Sequence, residues 1–305
     1  MQRRTFIKNT LLVSGALSLP LIKNHAAGEP DGISIPPAPD TTFGKSIMWG
    51  TVGMEGSVLD KCKAIKAAGY AGIEPNSHMD RKEVIDALKA TGLVASSVCC
   101  STHWKTQLSD PDASVRLEGM EGVRVALEDA KAYGTDAVLV VPGSVSATVR
   151  YDECWERSSE SIRKLLPDAE KLNVRICVEN VWNNFLLSPL EACRYVDQFN
   201  SPYAGFYFDC GNILVYGWPE QWIRILGSRI GRIHVKEFSR KKADAEGRGK
   251  GFDVSLTEGD VNWKEIMKEA RISYQGHWFT TEQGSSKTAE DLTDLSNRLD
   301  RILRM

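Results

Sequence analysis

Four short apolar runs in the second half of the chain each end at a residue that can bind a metal ion. The runs at 175–178, 205–208, 230–233 and 278–281 lead into Glu179, Asp209, His234 and Glu282. Such runs, separated by helical patterns, are typical of buried parallel strands. In a (β/α)8 barrel the carboxyl ends of all strands lie on one face, so these four residues are predicted to meet there. Three carboxylates and one imidazole predict a site for a divalent cation.

The same alternation of strands and helices extends over the chain from residue 41. Earlier strands are predicted at 46–49, 70–73, 94–99 and 137–141, and helices at 58–68, 81–91, 116–133, 152–172, 219–226, 262–270 and 289–303. A further helix is predicted to start at Ser188 and Pro189, and residues 241–259 are predicted to form a long polar loop. Consecutive strand–helix units of this kind require a parallel sheet.

Two architectures satisfy that requirement, a closed barrel and a doubly wound open sheet. The open sheet usually carries a glycine-rich phosphate-binding turn after its first strand. The sequence Gly-Thr-Val-Gly at 50–53 is a poor match to such a turn. The α/β class, with a single-domain (β/α)8 TIM barrel over residues 43–305, is therefore favoured.

Composition excludes several other classes. Hydrophobic residues make up 42% and charged residues 26% of the 305 residues, which is ordinary for a soluble globular protein. A net charge of −2 provides no basic surface, so nucleic acid is not an expected partner. The seven cysteines are odd in number and lack Cys-x-x-Cys spacing, which predicts buried thiols instead of a disulfide framework or a zinc ribbon. The oligomeric state stays open, with a homo-oligomer as one option.

The amino terminus is predicted to be a targeting signal. Residues 2–8, Gln-Arg-Arg-Thr-Phe-Ile-Lys, resemble the twin-arginine export signal, and residues 11–22 supply a short apolar core. Ala26 and Ala27 are small residues suited to cleavage, so residues 1–27 are predicted as the signal peptide and 28–42 as a linker. A periplasmic location is the expectation. No later run is long enough to span a membrane, so no stable membrane insertion is expected after processing.

The sequences around the four metal-binding candidates resemble those of a known superfamily. The motifs are Val-Glu-Asn at 178–180, Phe-Asp-Cys-Gly-Asn at 208–212, Ile-His-Val-Lys-Glu at 233–237 and Thr-Glu at 281–282. In order and spacing they resemble the xylose-isomerase-like sugar isomerase/epimerase superfamily, and most of all its ketose 3-epimerases and sugar-phosphate epimerases. The resemblance covers residues 43 to 300 and implies the same barrel fold.

The resemblance also implies a cofactor and a reaction. Glu179, Asp209, His234 and Glu282 would bind one divalent metal ion, commonly Mn, Zn, Co or Mg, and Glu179 and Glu282 would also be the catalytic acid/base pair. A ketose carbonyl chelated by such an ion makes the adjacent C–H acidic. Removing that proton and returning it on the other face inverts the carbon, whereas returning it to the neighbouring carbon isomerises the sugar. The expected substrate is a small carbohydrate, and export favours a non-phosphorylated ketose.

Other polar residues at strand ends are predicted to contact the substrate. Glu74 ends the second strand and is expected either to hydrogen-bond sugar hydroxyls or to position His103. His103 and Trp104 follow the third strand and are also predicted to contact the substrate, since an aromatic ring there can stack on a sugar face. Lys236 follows His234 by two residues and should share its side of the strand.

Two more substrate contacts follow from the resemblance. Arg240, six residues after His234, matches the place where ketose epimerases carry a substrate-contacting arginine. Many relatives have histidine three residues after the ligand aspartate, where this chain has Asn212. Asparagine donates and accepts hydrogen bonds but does not take part in proton transfer, which leaves the reaction type and the sugar open.

Several alternatives remain open. The same enediolate can expel a leaving group, as in lyases that act on 3-keto-glycosides. A periplasmic sugar-binding protein that has lost turnover would keep the barrel. Each of the four residues could also have a purely structural role, as a turn residue, a member of a surface ion pair or a core histidine. Metal-dependent endonucleases are disfavoured because they need a basic groove and a histidine-rich centre, and this chain has only five histidines.

Overall fold

Nine short parallel strands alternate with ten helices over residues 43–305, the part of the chain that the computed structural model describes. The strands are β1 Gly44–Met48, β2 Gly72–Glu74, β3 Val94–Ala95, β4 Val98–Cys99, β5 Ala137–Val140, β6 Arg175–Glu179, β7 Ala204–Asp209, β8 Ile230–Val235 and β9 Trp278–Thr281. The predicted signal peptide at 1–27 and linker at 28–42 lie outside the described residues.

The helices cover the outer face of the strands and connect them. They are α1 Val58–Ala67, α2 Arg81–Thr91, α3 Ala113–Tyr133, α4 Tyr151–Leu172, α5 Pro189–Asp197, α6 Cys210–Leu214, α7 Pro219–Leu226, α8 Arg240–Glu246, α9 Trp263–Ser273 and α10 Ala289–Leu303. Most begin at a capping side chain that accepts a backbone hydrogen bond, as Ser57, Asp80 and Thr288 do. Among residues 43–305 no helix is both long and apolar enough to cross a bilayer.

The strands close into a barrel, which confirms the predicted fold class. Their hydrogen-bonded order is β3-β2-β1-β9-β8-β7-β6-β5-β4, and β3 and β4 are consecutive in the chain. Closure occurs because Asn76, just after β2, pairs with Cys99 of β4, and the Cys99 amide donates to the Pro75 carbonyl at 2.9 Å. Strands β3 and β4 together are thus the third strand of an eight-stranded barrel.

The third barrel strand is broken, and the prediction of one strand at 94–99 is wrong in this respect. Ser96 and Ser97 separate its two halves, and both hydroxyls are buried and hydrogen-bonded. The Ser96 hydroxyl lies 2.7 Å from that of Ser46, whereas the Ser97 hydroxyl bonds to Glu74 and to Tyr207. The break lies where the pairing partner changes from β2 to β5.

The prediction of an irregular loop at 241–259 is also wrong. Its first part is helix α8, where the Ser239 hydroxyl accepts a hydrogen bond from the Lys242 amide, and a 3₁₀ helix follows at Arg248–Phe252. The remainder is held by the buried carboxylate of Glu237. That carboxylate accepts hydrogen bonds from the amides of Phe238, Thr257 and Val261 and from the indole of Trp263, at 2.8 to 3.2 Å.

Replacing Glu237 by alanine is expected to lower the free energy of unfolding by about 2–3 kcal/mol. Each buried donor that loses its acceptor costs about 1–3 kcal/mol, and water that enters the site recovers part of that cost. Urea unfolding followed by circular dichroism measures the change. Glu246→Ala, on the exposed face of α8, is the control and should stay within about 0.5 kcal/mol of wild type. Equal stability of the two variants would contradict the anchoring role.

Two apolar clusters fill the fold, one outside and one inside the barrel. The larger lies between strands and helices, and the smaller consists of inward-facing Cys99, Ala137, Leu139, Cys177 and Tyr207. Strands β5, β7 and β8 are buried along their whole length, as expected for parallel strands covered on both faces. All seven cysteines lie in this part of the chain and are free thiols.

Candidate metal centre

The four predicted metal ligands meet at the carboxyl ends of neighbouring strands. Glu179 ends β6, Asp209 ends β7, His234 lies in β8, and Glu282 directly follows β9. The register pairs Asp209 with His234, and the Glu282 amide donates to the Val235 carbonyl at 3.1 Å. One candidate ligand atom from each of the four lies within 4.8 Å of the others. The structure therefore brings together residues that are more than one hundred positions apart in the chain.

The imidazole of His234 lies at the middle of this cluster. Its Nδ1 is 2.9 Å from Glu282 Oε2, 3.5 Å from Glu179 Oε1 and 3.9 Å from Asp209 Oδ2. Its other nitrogen, Nε2, is 3.0 Å from Oε1 of the buried Glu74. The ring thus has one nitrogen toward the cluster and the other fixed by a carboxylate behind it.

Lys236 supplies a cation at the rim of the cluster. Its Nζ lies 2.9 Å from Glu282 Oε1 and 3.3 Å from Asp209 Oδ2. The side-chain nitrogen of Asn212 is 3.4 Å from Glu179 Oε1, and its side-chain oxygen is 3.5 Å from Lys236 Nζ. Asn212 therefore links two members of the centre. The substrate-contact roles predicted for Lys236 and Asn212 remain predictions.

Burial and mutual repulsion perturb the carboxylates. Burial, with further contributions from Glu282 and Asp209, raises the pKa of Glu179 to about 7. Burial likewise raises the pKa of Asp209 to about 6 in spite of the Lys236 ammonium. For Glu282, burial is outweighed by Lys236 and His234, and its pKa is lowered. The pKa values of the two glutamates are therefore shifted in opposite directions.

The same interactions act on the two basic groups. Burial opposes the charged form of His234, but the carboxylates of Glu74 and Glu282 outweigh it and raise its pKa well above the usual range. The pKa of Lys236 is also raised, since Asp209 and Glu282 outweigh its burial. A cation entering the centre would have to displace the proton on His234 Nδ1.

The donor set fits a divalent cation. Asp209 Oδ2 and His234 Nδ1 are buried atoms without a well-oriented hydrogen bond among the described residues, although Lys236 and Glu282 lie near them. The other oxygen of Asp209, Oδ1, accepts a hydrogen bond from the backbone amide of Asn212 at 2.6 Å, at the start of α6. Unpaired oxygen and nitrogen donors inside a ring of carboxylates are suited to Mn²⁺, Zn²⁺, Co²⁺ or Mg²⁺.

Glu74 contacts only protein groups in this structure, and its predicted contact with sugar hydroxyls stays a prediction. Its side chain is fully buried, and it contacts His234 instead of positioning His103. The hydroxyls of Ser97 and Tyr207 both donate to its other oxygen, so the carboxylate is used entirely within the protein. Glu74 is a positioning residue for the imidazole of His234.

The side chain of Arg240 is bound by backbone carbonyls, and its predicted substrate contact stays a prediction. Its guanidinium donates to the carbonyls of Leu214 and Gly217 at 3.2 and 2.7 Å and lies 5.0 Å from the Trp218 ring. It does not line the cavity at the centre, because α8 starts at this residue and turns its side chain toward the segment after α6.

A cavity of about 530 Å³ opens onto the centre, here called the centre cavity. Glu179, His234, Lys236 and Glu282 contribute to its inner wall, and His103 and Trp104 lie on its outer wall. Burial lowers the pKa of His103 to about 4, so the ring is neutral, and its Nδ1 accepts the Val141 amide at 3.3 Å. The ring proton is then on Nε2, where it can serve as a hydrogen-bond donor.

Other cavity residues were not identified from the sequence. The segment after β6 supplies Val181, Trp182, Asn183 and Asn184, and Ser144 lies beside it, in a segment that is hydrogen-bonded to Asn183. Their position after strand ends is a signal that could have identified them, since loops at the carboxyl ends of barrel strands build the site in this fold. Tyr207 was detectable by alternation, because it precedes Asp209 by two residues and so faces the same way.

The fold and the centre together define a class, a parallel (β/α)8 barrel with a carboxylate–histidine cluster at the carboxyl ends of its strands. The chain belongs to the xylose isomerase-like TIM barrel family, whose model matches residues 62–301. The resemblance inferred from the four motifs is thereby confirmed.

Characterised relatives of this chain are epimerases. L-ribulose-5-phosphate 3-epimerase of Escherichia coli K12 is 26% identical over 219 residues, covering 70% of this chain and 73% of that protein. The crystal structure of 3-keto-D-glucoside 4-epimerase from E. coli superposes with a TM-score of 0.73 at 16% identity, over 86% of this chain and 100% of that one. D-allulose 3-epimerase from Methylomonas sp., in complex with D-allulose, superposes with a TM-score of 0.68 at 16% identity, over 87% of this chain and 97% of that one. At these identities the solved structures show the fold alone.

Proposed function

We propose that this protein is a divalent-metal-dependent sugar epimerase or isomerase that acts through an enediolate on a non-phosphorylated ketose. The observation that carries the proposal is the convergence of Glu179, Asp209, His234 and Glu282, whose candidate ligand atoms lie within 4.8 Å of one another and of which all but Asp209 line the centre cavity. The similarity to L-ribulose-5-phosphate 3-epimerase supports the same reaction class.

The metal ion would be held by these four residues. When bound, it would polarise the carbonyl of a ketose and stabilise negative charge on the enolised sugar. Glu74 would hold His234 through Nε2 so that Nδ1 stays directed at the ion. Lys236 would offer its ammonium to a sugar oxygen at the rim, where it now pairs with Glu282.

Proton transfer is assigned to Glu179 and Glu282, which approach His234 Nδ1 from separate strands. One carboxylate removes the proton next to the carbonyl, and the other returns a proton on the opposite face. Without a bound cation the pKa of Glu179 is raised and that of Glu282 is lowered. Coordination of a cation by both carboxylates would require both to be ionised.

Deuterium exchange tests this function directly. The Mn²⁺-loaded protein is incubated with D-fructose, D-allulose, D-tagatose and methyl 3-keto-glucoside in D₂O, and exchange next to the carbonyl is followed by NMR. Exchange with formation of the epimer or aldose supports the proposal. Release of the methoxyl group would assign a lyase instead. Binding without exchange across the panel would leave a sugar-binding protein and overturn the proposal.

Glu74→Gln is expected to weaken Mn²⁺ binding by about 10–100-fold, because the amide replaces the carboxylate that orients His234. Isothermal titration calorimetry gives the affinity, and the melting temperature without metal reports the structural cost separately. Glu156→Gln, on the exposed face of α4, is the control and should bind like wild type. Unchanged affinity in Glu74→Gln would rule out its positioning role.

We also propose that the protein is exported. The support is the twin-arginine-like sequence at residues 2–8 followed by an apolar core. Replacing both Arg3 and Arg4 by lysine should retain the protein in the cytoplasm of a bacterial host with this export route. Equal periplasmic amounts of the variant and wild type would contradict the proposal.

A further inference from the structure

A second cavity of about 500 Å³ adjoins the centre cavity, and is here called the Phe252 cavity. Trp182, Lys236 and Glu282 line both cavities, so the two meet at the Lys236–Glu282 pair. Each volume lies in the range of about 300–1,000 Å³ that is usual for a small-molecule site. A ketose held at the four-residue centre would therefore lie next to the Phe252 cavity, which has room for a further group.

The wall of the Phe252 cavity is fixed in place by hydrogen bonds. The Gln283 amide donates to the carbonyls of Phe252 and Val254 at 3.2 and 2.6 Å, and its oxygen accepts the Glu237 amide at 2.6 Å. The Phe252 ring also packs against that of Phe238, with ring centroids 4.8 Å apart. The cavity is thus a preformed feature of the fold, as binding sites usually are.

Two aromatic side chains line the Phe252 cavity. Trp182, which also lines the centre cavity, is 60% exposed, an unusual amount for a residue of this size, and Phe252 is half-buried. Aromatic rings with a polar group close by are suited to a ligand that has an apolar face and hydrogen-bonding edges. A sugar ring and an aromatic aglycone both have this character.

The charge of the Phe252 cavity disfavours a phosphate group. Arg248 and Lys236 supply two cations, while Asp253 and Glu282 supply two carboxylates. Lys236 is already paired with Glu282 at 2.9 Å, and Asp253 with Lys250 at 2.9 Å. Among the lining cations only Arg248 lies outside these pairs, so a phosphate dianion would meet one surplus positive charge for its two negative charges, whereas a neutral ring needs none. The exposed guanidinium of Arg248 remains available to hydrogen-bond hydroxyl groups.

We infer that the Phe252 cavity binds a neutral second ring that is joined to the reacting ketose, so that the substrate is a glycosylated ketose instead of a free or phosphorylated one. The inference rests on the proposed function, because that function places the reacting carbons at the Glu179–Glu282 centre. Phe252 and Trp182 stack on the second ring, and Arg248 bonds to its hydroxyls.

Binding and turnover are measured separately to test this inference. The first probes are D-fructose, its glucosyl derivatives turanose, maltulose, leucrose and isomaltulose, and D-fructose 6-phosphate. Affinity for the Mn²⁺-loaded protein is measured by calorimetry and saturation-transfer NMR, and exchange in D₂O by NMR. At least one glucosyl-fructose is expected to bind about tenfold or more tightly than D-fructose, with transfer to both rings. The attachment position of the best binder shows how the second ring leaves the centre.

Variants assign that preference to the Phe252 cavity. Phe252→Ala and the exposed Arg248→Ala should each reduce the affinity advantage of the glucosyl derivative at least fivefold while leaving D-fructose binding within twofold. Trp218→Ala, which removes an exposed tryptophan that lines neither cavity, should leave both affinities unchanged. Arg248→Ala guards against misfolding, because its side chain is exposed.

The outcomes separate this inference from the proposed function. Exchange on D-fructose without any preference for glucosyl derivatives, or with a preference for the phosphate ester, overturns the inference and leaves the function intact. Tight binding of a glucosyl derivative without exchange on any sugar supports the second-ring site and overturns the epimerase proposal. Absence of both overturns both.

Discussion

Replacing Glu179 or Glu282 by glutamine is expected to reduce the rate of proton exchange by at least about 10³-fold while the barrel stays folded. Each substitution removes a proton-transfer group, which is worth about 10²–10⁴-fold, and also weakens a metal contact. The rate is measured as deuterium incorporation at saturating Mn²⁺, so that loss of metal does not mask loss of the base. Circular dichroism checks that the fold is retained.

Glu156→Gln is the control for this result. It changes the same residue type on an exposed face of α4 and should retain the wild-type rate of exchange. If the two carboxylates act on opposite faces of the sugar, a variant that lacks one of them should still incorporate deuterium into one epimer. That incorporation should be faster than conversion of this epimer into the other. A rate within threefold of wild type in either variant would show that the carboxylate is not the base.

Removal of divalent cations is expected to abolish exchange and to lower the melting temperature by about 5 °C. Glu74, Glu179, Asp209 and Glu282 surround one imidazole, so a bound cation relieves repulsion that the metal-free protein must tolerate. A ligand at one hundred times its dissociation constant adds about 2.7 kcal/mol to the free energy of unfolding. Scanning calorimetry after EDTA treatment, and again after adding Mn²⁺, measures the shift.

Asp209→Asn provides the matched control for that shift. The amide keeps the shape of the side chain and can still accept the Asn212 amide, but it removes one charge from the centre. Its melting temperature should respond to Mn²⁺ by less than half the wild-type shift. An equal response in this variant would place the stabilising metal elsewhere in the protein.

Much of this site was predictable because the fold converts sequence periodicity into position. Strands β6 to β9 each end at or beside a candidate ligand, and parallel strands in a closed barrel bring their carboxyl ends to one face. The identity of the four residues therefore followed from where the apolar runs stop. The bounds of α2 at Arg81–Thr91 and α10 at Ala289–Leu303 also match the predictions, since capping residues and glycines mark helix ends.

What the sequence did not reveal depends on contacts between distant segments. Glu74 ends its strand in the predicted place, but only the stagger of the closed barrel determines that it faces His234 and not His103. Residues 241–259 look irregular because they lack periodicity, and they are ordered by the Glu237 carboxylate and by Gln283. The serines at the break between β3 and β4 fit a continuous strand by sequence. The hydrogen bonds of their hydroxyls to buried partners, which accompany the break, are visible only in the structure.

The most direct test of the account is a crystal structure of the Mn²⁺-loaded protein with anomalous diffraction data. A single anomalous peak is predicted between the carboxylates of Glu179, Asp209 and Glu282 and Nδ1 of His234, with Lys236 moved away from Asp209. A peak at any other place, or a Lys236 ammonium still paired with both Asp209 and Glu282 at saturating Mn²⁺, would contradict it.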